Sequence, residues 1–242
     1  MKDFEERTYR TRTAREGLAQ FRVAVRETDL LVLAARDFSA QVRSLVVAGR
    51  GQLEAYISAH PDFLTTLVPW PEDPYAPPVV REMVAAGRHA GVGPMAAVAG
   101  ALAQRVGRAL MAESEEVIVE NGGDIFLKLT SPATVGLFAG KSPLSHKVGL
   151  RLDPSWSPLG VCTSSATVGH SLSLGRADAA CVLAKDAALA DALATALGNR
   201  VTDAHSLTRA LEWLGSIPDV LGGVVILGDK LGAWGQVELT SL

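Results

Sequence analysis

A chain of 242 residues is long enough to bury a substantial core, either as one large domain or as two intimately packed halves. Its 23 basic and 26 acidic residues leave a formal charge of -3, which offers no global basic field for nucleic acid and points to small-molecule partners. Only two cysteines occur, Cys162 and Cys181, each inside an apolar strand-like run, so they read as buried thiols rather than a disulfide framework or a zinc site.

In chain order, Met1 to Arg15 is charged throughout and has no apolar core region of the kind a secretory signal needs. The longest apolar stretch, Val92 to Ala103, is too short to span a bilayer and ends in Gln104-Arg105. The expectation is a cytoplasmic protein without a membrane partner. Thr8 to Thr13 alternates polar residues, Phe21 to Val25 alternates apolar ones, and Leu30 to Ala35 is a continuous apolar run, which predicts an opening meander. A helix capped by Asp37 or Ser39 then runs to Ala59, with Gly49 and Gly51 as candidate breaks. His60 to Pro78 is rich in proline and aromatic residues and cannot hold a regular helix. It reads as a crossover loop before a lid, although the rings of Trp70 and Tyr75 would stack well on a planar heterocycle.

Helices are expected at Val79 to His89 and at Pro94 to Met111, the second with a smooth face of Gly93, Ala96, Ala97, Gly100 and Ala101. Strands follow at Val117 to Glu120, Ile125 to Leu129, Thr134 to Phe138, Val148 to Leu152, Gly160 to Thr163 and Ala177 to Leu183. After an alanine-rich helix, a helix from Asp203 to Leu214 leads to strands at Val224 to Leu227 and Ala233 to Leu239. The pattern is α+β, with no repeat, heptad or low-complexity tract.

Two short runs carry chemistry. Asp191-Ala192-Leu193-Ala194-Thr195 puts a carboxylate and a hydroxyl one helical turn apart on one face, where two hard oxygen ligands can converge on Mg²⁺ or Ca²⁺. Such a pair also arises by chance on solvated helices; here the alanines would leave its surroundings sterically clear. In Asn121-Gly122-Gly123-Asp124 an apolar strand stops and then resumes. A tight hairpin turn explains this run, and so does a backbone laid directly against a ligand. His170, between Gly169 and Ser171, reads by itself as a hydrogen-bonded turn residue. Ser164 and Ser165 lack the Gly-x-Ser-x-Gly setting of a nucleophile and suit ligand hydrogen bonding.

The order Asn121-Gly122-Gly123-Asp124-Ile125, Thr163-Ser164-Ser165, His170, Ala190-Asp191-Ala192-Leu193-Ala194-Thr195 resembles the ApbE superfamily, whose best-known members are FAD:protein FMN transferases. It is closest to an uncharacterised cytoplasmic branch of that superfamily. The resemblance implies a tunnelling-type fold of two related β-sheet-plus-helix halves in a single unit spanning residues 1–242. It implies Mg²⁺ bound by Asp191, Thr195 and a backbone carbonyl, best matched by Ala96, and FAD or FMN lying along Gly122 and Gly123. Asn121, Asp124, Thr163, Ser164 and Ser165 would complete the nucleotide site, and His170 falls near the family's histidine, where it would assist proton movement.

Departures from the family bear on activity. Ala97-Val98 stands where the family carries Lys-Gly, and Ser171-Leu172-Ser173-Leu174-Gly175 stands where it carries Asp-Pro-x-Thr-Gly. Binding a flavin or nucleotide is therefore better supported than transferring one. The other readings are an active Mg²⁺-dependent, FAD-cleaving flavin transferase and a structural homo-oligomer whose alanine-rich helices form interfaces.

Overall fold

The computed structural model describes residues 15–167 and 174–242. The expected strand at Thr8 to Thr13 and the residue His170 lie outside them. The chain opens with β1 (Ala19–Val25) and β2 (Thr28–Ala34), and then forms α1 (Ser39–Ala59), α2 (Pro78–Ala90) and α3 (Val98–Leu110) before β3 (Val117–Asn121) and β4 (Asp124–Lys128). After β5 (Ala133–Gly136) and β6 (Val148–Leu152) the same plan recurs. It runs through β7 (Leu159–Ser164), β8 (Ala179–Ala184), α4 (Ala187–Arg200), α5 (Ala204–Gly215), β9 (Val220–Leu227) and β10 (Lys230–Gly235), and β11 (Glu238–Ser241) ends it.

Eight of these strands make one antiparallel sheet in the order β1-β2-β3-β4-β7-β8-β9-β10, so the two halves join edge to edge at β4 and β7. Each half reads strand pair, helices, strand pair, the α+β arrangement expected. All the helices that pack on the sheet lie on one face. There Val32, Val119 and Phe126 meet Val46, Val106 and Leu110, and Cys162, Val182 and Val225 meet the residues of α4 and α5. Leu31, Leu127, Val161 and Ile226 face the other way, onto the three-stranded sheet β11-β6-β5 through Leu150 and Leu152. The continuous apolar run of β2 is thereby explained, since both of its faces are covered and all seven residues are buried.

Several boundaries differ from the sequence reading, each for a packing reason. Helix α1 passes straight through Gly49 and Gly51, and Asp37 Oδ1 accepts from Ser39 N at 2.7 Å at its start. A methyl group on Gly49 would sit 3.3 Å from Leu102 Cδ2, so this glycine serves the approach of α3 rather than a break. The helix expected from Pro94 begins as a 3-10 turn, Pro94–Ala97, and becomes α-helical only at Val98. The strand expected from Ala233 to Leu239 is divided at Gly235, whose φ of +83° turns the chain from β10 to β11 in the second sheet. In the loop after α1, Trp70 packs edge-on against Phe63, centroids 5.5 Å apart, and its Nε1 donates to Tyr56 Oη at 3.3 Å. Trp70 is thus committed to the core, and Tyr75 is fully solvent-facing.

The alanine-rich helix α4 is the centre of the molecule. Ten of its 14 residues are buried within this one chain, so its alanines serve close packing rather than open space around Asp191. Two glycines admit it. A methyl on Gly160 of β7 would collide with Ala187 Cα and lie 2.9 Å from Ala187 N. Gly160→Ala should therefore destabilise the protein by about 1–3 kcal/mol, read as a fall of several degrees in Tm. Gly51→Ala is the opposite control, because nothing lies within 4 Å and helix propensity improves. It should raise stability by up to about 1 kcal/mol.

Candidate functional site

Asn121 and Asp124 close a two-residue hairpin whose turn residues, Gly122 and Gly123, have φ of +70° and +107°. The turn reading of this run is thus met, and only glycine holds both positions without strain. Directly opposed residues of an antiparallel pair project to the same face. Asn121 Nδ2 donates to Ala99 O at 3.1 Å, so the Asp124 side chain shares the face turned toward α3 and α4. Gly123 N donates to Glu120 Oε1 at 2.9 Å, which fastens the turn. A methyl on Gly123 would meet only Thr163 O, at 3.9 Å, so the turn is not crowded by the protein.

The next residue along, Gly100, donates its backbone N–H to Asp191 Oδ2 at 2.8 Å. It must be glycine: a methyl there would strike Ala187 O and lie 2.9 Å from Asp191 Cβ. On the sheet, Cys162 Sγ donates to Ala187 O at 3.4 Å. Burial first, and then the charges of Asp124 and Asp191, push this thiol well up. Ser164, two residues further along β7 and so on the same face, is 7% exposed, and its Oγ has no hydrogen-bond partner. Asp124 and Asp191 are each 9% exposed. Burial raises the Asp191 carboxyl well above the usual carboxylate range and the neighbouring Asp124 charge raises it further, while backbone bonds from Gly100 and Ala99 work against both.

Thr195 lies one turn beyond Asp191 on α4 and is half-buried, as is Ala96 in the 3-10 turn before α3. Among the described residues no three His, Cys, Asp or Glu side chains gather as a metal-holding group. The available donors are two carboxylates, hydroxyls and backbone carbonyls, all hard oxygens, and the orphaned Ser164 oxygen lies on the face that Cys162 turns to α4. That set fits Mg²⁺ or Ca²⁺ and does not fit a soft metal.

Not every expected residue joins this cluster. Thr163 pairs with Cys181 on the opposite face of the sheet and is hydrogen-bonded to its thiol, which burial pushes up to about 12. Ser165 Oγ accepts from Thr167 N at 3.1 Å and closes a small turn at the sheet end. Past it lies a cavity of about 420 Å³ lined by Thr167, Arg176 and Asp178. The sequence reading missed the roles of the Gly100 N–H and of the Ala99 carbonyl. The one available signal was a glycine inside an alanine-rich helix start, where propensity disfavours it.

The model of the AbpE bacteria family matches residues 10–212. The chain is 46% identical over 214 residues to a UPF0280 protein of Methanocella arvoryzae, covering 88% of this chain and 87% of that one. It is 40% identical over 222 residues to a UPF0280 protein of Methanocaldococcus jannaschii, covering 89% and 90%. Among solved structures it is similar to the Pseudomonas stutzeri flavinyl transferase ApbE in its apo form, with a TM-score of 0.60, 18% identity and coverage of 93% and 94%. The flavin transferase ApbE of Vibrio cholerae gives 0.60 and 13%, with coverage of 90% and 96%. At these identities the structural likeness shows the fold.

The raised Asp191 carboxyl has a consequence for stability. A carboxyl that binds its proton more tightly in the folded state contributes stability below its unfolded value, about pH 3.9, and that contribution is lost as pH rises toward its folded value. In chelator-treated protein, Asp191→Asn keeps an oxygen for Gly100 N and removes the charge. Urea unfolding should show this variant more stable than the parent at neutral pH, with the difference shrinking toward pH 4. A parent as stable as the variant across the whole range would contradict the burial argument.

Proposed function

Because the chain belongs to the AbpE bacteria family, and with it to the ApbE-like superfamily, we propose that it binds a flavin nucleotide, FAD or FMN, where the β3–β4 turn faces α3 and α4. The observation that carries this reading is the buried Asp191 carboxylate, held by the Gly100 N–H beside Asp124 with no cationic side chain among the influences on it. A carboxyl whose ionised form is so disfavoured by burial is neutralised either by a proton or by a cation bound beside it, and in this reading the cation takes that part. Mg²⁺ is the reading, with Asp191, the Thr195 hydroxyl and the Ala96 carbonyl as its ligands. When bound, the cation supplies charge against the phosphates of the nucleotide.

The chain's own residues divide the remaining work. Gly122 and Gly123 let a ligand lie against the turn without meeting a side chain, and the Ser164 hydroxyl offers an unused hydrogen bond. Asn121 ties the turn to α3, so both walls of the site are held in register. Asp124, Thr163 and Ser165 belong to this nucleotide region in the proposal, Thr163 through its backbone, and His170 is its candidate proton carrier. Ala97 is fully buried and carries no charge toward a phosphate, so binding is favoured over cleavage of the ligand. Among the described residues no helix is long and apolar enough to cross a membrane, and the cytoplasm is the proposed setting.

Calorimetry with FAD, with and without Mg²⁺, tests the reading. FAD should bind with an affinity that Mg²⁺ strengthens, and Asp191→Ala should lose that dependence at a cost of about 10–100-fold. Thr195→Ser should retain more of it than Thr195→Val, because only serine keeps an oxygen. Equal affinity in chelator and in Mg²⁺ for parent and variant alike would overturn the cation assignment. FAD should remain intact in the complex; rapid release of AMP would instead establish transferase chemistry.

A further inference from the structure

We propose that the Asp124 carboxylate is a second anionic ligand of the cation held by Asp191, which gives a site that takes a divalent cation without help from nucleotide phosphates. This rests on the cation reading of Asp191 above. The placement of Asp124 follows from three contacts. Asn121, its opposed partner across the hairpin, reaches Ala99 O on the helical side, and the adjacent Gly100 N–H holds Asp191. The β4–β7 register, Ile125 opposite Val161, puts Asp124 beside Cys162. The thiol of Cys162 touches Ala187 O, one helical turn before Asp191, and feels both carboxylate charges.

The charges decide what this arrangement binds. Two carboxylates, each about nine-tenths buried, repel in a medium that screens poorly. No lysine or arginine is among the influences on Asp191. A divalent cation between the two groups relieves that repulsion, and hard oxygens are the donors it prefers. The Ser164 oxygen is a second and independent sign of a ligand, because it is more than nine-tenths buried, lacks a partner and lies on the face of β7 that Cys162 presents to α4.

Electron paramagnetic resonance titration of Mn²⁺ into flavin-free, chelator-stripped full-length protein tests the proposal, with Tm read on the same samples. The parent should bind Mn²⁺ without any nucleotide. Asp124→Asn should bind about 10–100-fold more weakly, melt above the parent in the absence of metal and lose most of the metal-induced rise in Tm. Asp124→Glu keeps the charge and should bind more tightly than Asp124→Asn. Parent-like affinity in Asp124→Asn, with binding lost in Asp191→Asn, would overturn the role of Asp124 and leave the proposed function standing. Equal weakness of Asp124→Glu and Asp124→Asn would overturn it too, as a loss of shape rather than of charge. Unchanged Mn²⁺ binding in Asp191→Asn would overturn both readings together.

Discussion

An alanine-rich helix has no long side chains with which to hold its neighbours apart, and α4 uses that freedom on every side. It lies between α3 and the sheet at a depth that only glycine permits, at Gly100 on one side and Gly160 on the other. Close approach of this kind gains many small dispersion contacts and excludes water. It also takes the one acidic residue within the helix, Asp191, out of solvent. The electrostatics of this position are thus a by-product of packing, since the same geometry that fills the core buries the carboxyl.

The β3–β4 hairpin faces this carboxyl from the sheet side. Its turn is short because two glycines accept positive φ, and its flanking residues therefore fall opposite each other with side chains on the helical face. Asn121 spends its amide on Ala99 and fixes the distance between the sheet and α3, while Asp124 adds a second charge. Cys162 lies beside these groups, and burial together with their charges raises its thiol, which keeps it protonated and a poor soft ligand. Ala97 is buried and uncharged, whereas stabilising a developing anion needs a donor aimed at it.

Much of this was legible in the residues. Periodicity located the strands and helices of both halves, because their faces are covered in the regular way that periodicity reports. Asn-Gly-Gly-Asp announced its hairpin for the same local reason. Glycines misled where their purpose was tertiary: Gly49 read as a helix break and proved to be a seat for Leu102, a contact 53 residues distant in sequence that no local pattern encodes. The alanines of α4 read as clearance for a ligand, although they are the means of burial. Thr163 sits next to Ser164 in the motif, yet strand alternation sends its side chain to Cys181 on the far face. The division of β10 from β11 depends on pairing with β6, some ninety residues earlier, and was beyond any local signal.

In the proposed function, Asp191 holds a cation beside a flavin nucleotide. Anomalous scattering from crystals grown with Mn²⁺ and FAD is the most direct test of that role. A manganese peak should lie about 2.0–2.6 Å from an Asp191 carboxylate oxygen, between α4 and the β3–β4 turn, with the nucleotide phosphates beside it. Nucleotide bound at the sheet end with no peak there, and Asp191 still engaged only by the backbone of Ala99 and Gly100, would contradict that placement.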